Sequence, residues 1–168
     1  PPLSLLPSLS LLSLPKVCVW PILWTALLGL QLLTPGADAA LSVPSGLTLV
    51  YGLVYLAFDV RCGAVCNVLL AGGLLAVQWL AATQARDQLL WAGGAIHVVC
   101  WVLQFWGHAR FERRRPALFD NLLQAIVMAP FFVTMEMMTD AVGYEPSPGF
   151  HGRIKERAAQ ILATHKKD

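Results

Sequence analysis

The sequence carries little charge for its length. Charged side chains make up 13% of the 168 residues and apolar ones 57%, whereas globular domains have about 25% and about 45–50% respectively. This is too little charge to cover a water-facing surface, which excludes an ordinary soluble domain, and the apolar excess excludes a disordered chain. We therefore expect lipid to be the main solvent of this protein.

Other features that the sequence lacks narrow the class of protein further. Residues 1–15, a run of Leu, Ser and Pro, have no basic residue and no uninterrupted apolar core, so they do not resemble a signal peptide. Cys62 and Cys66 lie one helical turn apart without a second Cys or His pair, which argues against a zinc site. We expect the cysteines to be small buried apolar residues. The sequence shows no internal repeat, which makes a small transporter a weaker interpretation.

The few charges divide the chain into apolar windows of similar length. Between Lys16 and Arg110, the windows without formal charge are 17–37, 39–58, 62–85 and 88–109. A bilayer core of ~30 Å needs ~20 helical residues at ~1.5 Å rise, so each window has about the length of one spanning helix. Window 39–58 is the weakest, because Pro-Ser-Gly at 44–46 delays its helical start. These windows predict an all-α, polytopic membrane helical bundle with about four spanning helices.

The last apolar stretch, 117–138, is not expected to cross the membrane. It carries Asp120 and Glu136 and is cut by Pro130 into two pieces that are each too short for a span. A re-entrant or interfacial helical hairpin fits these features and keeps both flanks on one side. The predicted organisation is a low-complexity N-terminal segment, a membrane helical domain and a tail: 1–15, 16–138 and 139–168.

Lysine and arginine predict the orientation of the bundle. With four spans, Lys16, Arg61 and the arginines of 110–115 share one side of the membrane, and Arg86 lies on the other. The positive-inside rule makes the first side cytosolic, and the basic tail prefers the same side. Both the N-terminus and the C-terminal tail are therefore expected in the cytosol.

Polar side chains form one stripe on the predicted fourth span. His97, Trp101, Gln104 and His108 recur every three or four residues, so they share one face of a helix. Such a face points to the bundle interior, either as a structural hydrogen-bonded cluster or as a metal or ligand site. On a straight helix the two histidines are ~16 Å apart along the axis. To serve one ion they need a helix break near Gly107, or else each needs partners from another segment.

A charged run follows the stripe and contains Glu112, the arginines of 113–115 and Asp120. One interpretation is a positive-inside anchor solvated at the headgroup level. The other is an anion clamp that holds a fatty-acid carboxylate beside His108. In either case Glu112 and Asp120 could pair with the arginines or complete a metal shell, and Glu136 is a similar candidate.

The same residues carry a resemblance to a known family. Residues 97–108, HVVCWVLQFWGH, with Arg-Pro-Ala-Leu at 115–118 and Ala-Pro at 129–130, resemble the 2-hydroxy fatty acid dioxygenase family. These are small multi-span proteins of the endoplasmic reticulum membrane. The resemblance covers roughly 16–138 and implies an Fe2+-dependent α-oxidation, in which O2 removes one carbon from a 2-hydroxy acyl chain during phytosphingosine breakdown. The expected partners are thus a 2-hydroxy fatty acid, O2 and membrane lipid, with no nucleic acid.

The resemblance also implies roles for the candidate site residues. His97 and His108 match the histidines thought to hold the iron. Iron near the cytosolic interface would chelate the carboxylate and the 2-hydroxyl of the substrate. We then expect Arg115 to steady the carboxylate and Gln104 to orient a ligand or bound oxygen. The remaining candidates are Glu112, as a catalytic carboxylate, and Trp101, as a substrate contact.

The chain departs from the family pattern before the first span. The family has a second histidine cluster there, where this sequence has Pro15 and the run of Leu, Ser and Pro. We therefore expect an incomplete ligand set, arising from a mispredicted or truncated first exon or from a paralogue that has lost iron. The alternative class is a non-enzymatic membrane protein that binds lipid or assists assembly.

Overall fold

Five helices with described bounds account for most of the described residues. The computed structural model describes residues 6–34, 41–107 and 122–150, together with 152, 153, 156 and 157. The helices are α1 (Leu6–Leu33), α2 (Val43–Phe58), α3 (Val60–Thr83), α4 (Arg86–Gly107) and α5 (Leu122–Val142). Because these ranges contain helices and turns but no strand, they confirm the predicted all-α fold.

Three of the helices have the length and composition of membrane spans. They are α3, α4 and the Lys16–Leu33 part of α1, with 24, 22 and 18 residues. The predicted window 39–58 instead gives α2, an apolar helix of 16 residues. At ~1.5 Å per residue α2 is shorter than a ~30 Å bilayer core. Of the about four spans expected, three therefore reach spanning length.

The late start of α2 has a local cause. Ser42 lies just before the helix in an extended conformation, and its side chain accepts a hydrogen bond from the Ser45 backbone N–H at 3.4 Å. Pro44 follows in the first turn, where a missing N–H costs nothing. The Gln78 side chain of α3 donates to the Ser45 hydroxyl at 3.1 Å, which ties this end of α2 to α3.

Helices α2 and α3 form a close antiparallel pair joined by Asp59. The Asp59 N–H donates to the Tyr55 carbonyl at 3.2 Å, and its carboxylate accepts a backbone N–H from the first turn of α3 at 2.7 Å. Gly63 lies directly against the Tyr55 backbone, since a Cβ there would be 2.5 Å from that carbonyl oxygen. Asn67 donates to the carbonyls of Gly52 and Gly63 at 3.1 and 2.8 Å, so both helices share one polar contact.

Helices α1 and α4 also pack antiparallel. The buried core on this side of the bundle consists of Leu27, Leu28, Leu32, Val77 and Leu89. A Cβ at Gly93 would be 3.0 Å from a Leu28 methyl group, so the glycine allows a close approach. Arg86 donates to the Leu32 carbonyl at 3.3 Å near the end of α1. These contacts set the register in which later residues of α4 meet earlier residues of α1.

Helix α5 differs from the predicted helical hairpin. It continues through Pro130 from Leu122 to Val142, so a break into two short pieces at that proline is wrong for these residues. Residues 117–121 of the predicted hairpin lie outside the described residues. A proline inside a helix removes one backbone donor, but helices in a bundle tolerate this when neighbouring groups supply other hydrogen bonds.

Neighbouring helices supply such bonds around Pro130. The Tyr55 hydroxyl donates to the Val127 carbonyl at 2.7 Å, on one side of the proline. The Cys62 thiol lies 3.8 Å from the Phe131 carbonyl oxygen, on the other side. Contacts from α2 and α3 therefore stabilise α5 around Pro130, where the sequence predicted a break.

The chain divides into two units, Pro1–Thr134 and Met135–Asp168. In the second unit α5 ends at Val142, and Gly143 follows with φ 66°, a left-handed conformation that suits glycine. All candidate site residues that the structure describes belong to the first unit, except Glu136.

Gly63→Ala is expected to destabilise the bundle by about 1–3 kcal/mol, because the new Cβ would overlap the Tyr55 backbone. Gly72→Ala is the matched control on the same helix: Gly72 is exposed, and its Cβ would meet nothing within 4 Å. We expect this control to lose no stability and to gain up to about 1 kcal/mol from helix propensity. Unfolding in detergent measures both variants, and equal stabilities would contradict the close approach of α2 and α3.

Candidate functional site

His97 lies in the middle of α4, on the face that packs against α1. Arg86, Gly93 and His97 share this face at helical spacing. Arg86 and Gly93 both contact α1, and His97 is half-buried beside them. An imidazole in an apolar helix pair needs hydrogen-bond partners, because an unpaired buried polar group costs free energy.

Both ring nitrogens of His97 have such partners. Nδ1 lies 2.8 Å from the Thr25 hydroxyl oxygen of α1, and the Trp101 indole N–H donates to Nε2 at 3.0 Å. An indole nitrogen can only donate, so Nε2 must accept and the imidazole proton is on Nδ1. Nδ1 then donates to the Thr25 oxygen. This arrangement assigns the neutral Nδ1–H tautomer to His97.

Thr25 extends the hydrogen bonds to the backbone of α1. Its hydroxyl donates to the Pro21 carbonyl at 2.7 Å, with the Ile22 carbonyl oxygen 3.1 Å away. The single hydroxyl proton is thus used within α1, and the oxygen lone pairs remain for His97. Each of the three hydrogen bonds that link Trp101, His97, Thr25 and Pro21 therefore has one donor and one acceptor.

Trp101 has aromatic neighbours on both sides along α4. It stacks on Phe105 with ring centroids 5.4 Å apart and an interplanar angle of 25°. Its ring meets that of His97 edge to face at 6.3 Å. The spacing of four residues places all three rings in one row on the helix. Trp101 is therefore held in the position from which its N–H reaches Nε2.

Two cysteines extend the same helix contact. Cys18 in α1 and Cys100 in α4 lie next to each other, and both residues are buried. Cys62 and Cys66 are also free and buried, which confirms the interpretation of all four as small buried residues. The Cys18–Cys100 contact agrees with the antiparallel register that pairs Thr25 with His97.

His97 fits one ligand position of an iron site. Imidazole is a common iron ligand, and a metal-binding histidine normally donates its other ring N–H to an oxygen, as Nδ1 does to Thr25. Nε2 would then be the ligand nitrogen, but in the structure its lone pair accepts the Trp101 N–H. The described ranges contain no group of three or more His, Cys, Asp or Glu that could hold a metal ion. The described residues alone therefore do not form a complete metal site.

Comparison with known families places this site in a defined group of proteins. The family described as 2-hydroxy-palmitic acid dioxygenase Mpo1-like matches residues 13–141, which is most of the chain. The chain belongs to the Mpo1-like family. The matched region contains Thr25, His97 and Trp101, so the hydrogen-bonded site lies wholly within it. The resemblance carried by residues 97–108 is thereby confirmed.

One curated relative shares this region. The 2-hydroxy-palmitic acid dioxygenase MPO1 of Saccharomyces cerevisiae is 35% identical to the chain over 100 residues. The match covers 59% of the chain and 55% of that protein, so the chain spans about half the length of its curated relative. No solved structure matches the chain. The helix positions and hydrogen bonds described above therefore rest on the structure of this chain alone.

The structure describes three of the six site residues that the sequence predicts. His97, Trp101 and Gln104 lie on one half-buried face of α4, in agreement with the predicted stripe. Trp101, predicted as a substrate contact, donates a hydrogen bond to His97. The other three lie outside the described residues, and their roles stay predictions: His108, Glu112 and Arg115.

Thr25 is the site residue that sequence reasoning missed in this Mpo1-like chain. It lies on α1, 72 residues before His97. A hydroxyl within an apolar span was a signal that could have drawn attention to it, because polar groups inside membrane helices usually have partners. The identity of that partner depends on the register of α1 against α4, which the sequence pattern does not contain.

Trp101→Phe is expected to lower the free energy of unfolding by about 0.5–1.5 kcal/mol, because it removes the N–H donor to Nε2 and keeps a ring to stack on Phe105. Trp91→Phe on the same helix is the control, since Trp91 is 82% exposed and a change within about 0.5 kcal/mol is expected. Denaturant unfolding in detergent measures both. A loss no greater than that of the control would mean that the Trp101–His97 bond adds no stability.

Proposed function

We propose that this chain is an Fe2+-dependent dioxygenase that shortens 2-hydroxy fatty acids by one carbon, an α-oxidation in sphingoid-base and fatty acid catabolism. Membership of the Mpo1-like family supports this activity. The observation that carries the proposal is the imidazole of His97, hydrogen-bonded through Nδ1 to Thr25 inside the family region. A histidine oriented in this way presents Nε2 as its ligand nitrogen.

The proposed reaction balances with O2 as the oxidant. A 2-hydroxy acid, R–CH(OH)–COOH, and O2 give R–COOH, CO2 and H2O. The bond between the carboxyl carbon and the hydroxyl-bearing carbon breaks, and four electrons pass from the substrate to O2. When bound, Fe2+ supplies a site for chelation of the substrate's carboxylate and hydroxyl and for reduction of O2.

Different residues of the chain bind the metal and the substrate. His97 binds the metal through Nε2, and we propose His108 as a second imidazole. Arg115 holds the substrate carboxylate, because a guanidinium matches a carboxylate with two parallel hydrogen bonds. Gln104, on the same face of α4 as His97, orients the substrate hydroxyl or a bound oxygen. Glu112 accepts a proton or completes the ligand set.

The substrate reaches this site from the bilayer. A long acyl chain partitions into the hydrocarbon region, while its polar head stays near the interface. The surface of α4 away from α1 is exposed and apolar at Val98, Val99 and Val102, as a lipid-facing helix requires. We propose that Trp101 borders the acyl chain. We further propose a multi-pass protein of the endoplasmic reticulum membrane with both termini cytosolic.

The purified chain, joined to the family's N-terminal histidine segment and supplied with Fe2+, O2 and 2-hydroxypalmitic acid in detergent, should release CO2 and the acid one carbon shorter. Without that segment the chain should be slower or inactive, because its ligand set is incomplete. His97→Gln should lower the rate about 100-fold or more, because it removes the ligand nitrogen that Thr25 orients. His165→Gln is the control, since it lies outside the family match and should leave the rate unchanged. Mass spectrometry of the acid product measures the rate.

A second candidate is a non-enzymatic membrane protein that binds lipid or assists assembly. The Trp101 hydrogen bond favours it, because that bond satisfies Nε2 and makes His97 a complete structural residue. This candidate predicts that His97→Gln changes stability alone and that no shortened acid forms. Either of those results would contradict the dioxygenase proposal.

A further inference from the structure

Ser147 lies in a partly exposed turn shortly after the end of α5. We propose that it is a phosphorylation site for a proline-directed kinase and that Arg153 holds the added phosphate. The family match ends at residue 141, so the site lies outside it and does not depend on the dioxygenase proposal. The proposed cytosolic position of the tail gives a kinase and ATP access to it.

A hydroxyl residue followed by proline occurs twice in the sequence, at Thr34 and at Ser147. Proline-directed kinases select such pairs, because their substrate cleft fits a proline ring directly after the hydroxyl residue. Thr34 directly follows the candidate span Lys16–Leu33, and its hydroxyl donates to the Leu30 carbonyl at 2.9 Å. Ser147 instead lies outside the five helices. The two residues therefore differ in access, and Ser147 is the accessible one.

The turn around Ser147 is held by local hydrogen bonds. The Ser147 carbonyl accepts the Phe150 N–H at 3.0 Å, and Gly149 has φ 73°, a left-handed conformation that suits glycine. The Glu145 carboxylate accepts the Gly149 N–H at 3.0 Å. Because these bonds join residues close together in the chain, the segment can open into a kinase cleft without unfolding α5.

Arg153 already contacts the atom that would accept the phosphate. Its Nη2 donates to the Ser147 hydroxyl oxygen at 2.5 Å, and its Nη1 donates to the Pro148 carbonyl at 2.7 Å. A guanidinium has five N–H donors, so further donors remain beyond these two bonds. Phosphorus would bond to the same Oγ atom, which places the phosphoryl oxygens within reach of the guanidinium. Arginine suits this role, since its planar fork matches a phosphate with two parallel hydrogen bonds.

The modification adds negative charge to the turn. The kinase transfers the γ-phosphoryl group of ATP: the bond from the γ-phosphorus to its bridging oxygen breaks, a P–O bond forms at Oγ, and ADP and the hydroxyl proton leave. A phosphoserine carries about −1.5 to −2 at pH 7. Arg153 attracts this charge and Glu145 repels it. Attraction prevails, because the guanidinium contacts Oγ whereas the carboxylate faces the Gly149 N–H.

The first test uses the full purified chain in a sugar detergent with ATP and the catalytic domain of a mitogen-activated protein kinase. Mass spectrometry of the peptides should place one phosphate on Ser147, and Ser147→Ala should abolish it. Pro148→Ala should slow the reaction about tenfold or more, because removing carbon atoms from a fitted pocket has an effect of this size. An unmodified Ser147, or equal rates for the parent chain and Pro148→Ala, would overturn the proposed site.

Thr34→Val is the matched control, because it removes the other hydroxyl that precedes a proline. It should leave the amount of incorporated phosphate unchanged. Phosphate on Thr34 in an amount equal to that on Ser147 would mean that access does not distinguish the two residues, and it would overturn the assignment of Ser147 from the structure.

Phosphorus NMR of the phosphorylated chain tests the role of Arg153. A neighbouring positive charge lowers the second pKa of phosphoserine, which is ordinarily about 6. Arg153→Gln should raise this pKa by about 0.2 or more, as expected for the loss of one exposed ion pair. Lys167→Gln removes the same charge elsewhere in the tail and should change the pKa by less than about 0.1. Equal pKa values for the two variants would overturn the contact with Arg153.

The two measurements separate the modification from the arginine contact. Phosphate on Ser147 with a pKa that does not respond to Arg153→Gln would retain the phosphorylation site and overturn the role of Arg153. Neither measurement involves Fe2+ or a 2-hydroxy acid. Failure to form the shortened acid would therefore overturn the dioxygenase proposal alone.

Discussion

The bundle depends on one constraint: a polar side chain between apolar helices must find its partner on the protein, because lipid offers none. Thr25 and Trp20 of helix α1 meet this constraint toward two neighbouring helices, whereas the buried Trp24 Nε1 and Gln31 Oε1 of α1 have no hydrogen-bond partner among the described residues. Thr25 accepts the imidazole N–H of His97 from α4, and Trp20 donates to Thr134 of α5. Each bond fixes a register between helices, so the same contacts that satisfy polar groups also build the site.

The spans could be predicted because the scarcity of charge is a strong signal in lipid. The windows 17–37, 62–85 and 88–109 agree with the apolar parts of α1, α3 and α4. Window 39–58 was less informative, because local capping by Ser42 rather than charge sets where α2 begins. Pro130 misled the prediction: proline ends a helix in isolation, but Tyr55 supports the chain beside it through the Val127 carbonyl. This hydrogen bond joins two helices, so the sequence around Pro130 does not indicate it.

The candidate site shows the same division between local and tertiary information. Helical spacing predicted that His97, Trp101 and Gln104 share a face, and this is a property of one helix. The contact between His97 and Thr25 joins residues far apart in the chain and depends on how Gly93 lets α1 approach α4. Membership of the Mpo1-like family then connects this local arrangement to a class of chemistry that hydrogen bonds alone do not identify.

The bond between Thr25 and His97 is tested most directly by a double-mutant cycle on the free energy of unfolding in detergent. The cycle combines Thr25→Val and His97→Phe, which each remove one partner of the 2.8 Å contact. We predict a coupling free energy of about 0.5–1.5 kcal/mol, the net value of one hydrogen bond. Additive effects of the two substitutions, within about 0.3 kcal/mol, would contradict a direct bond between α1 and α4 at this site.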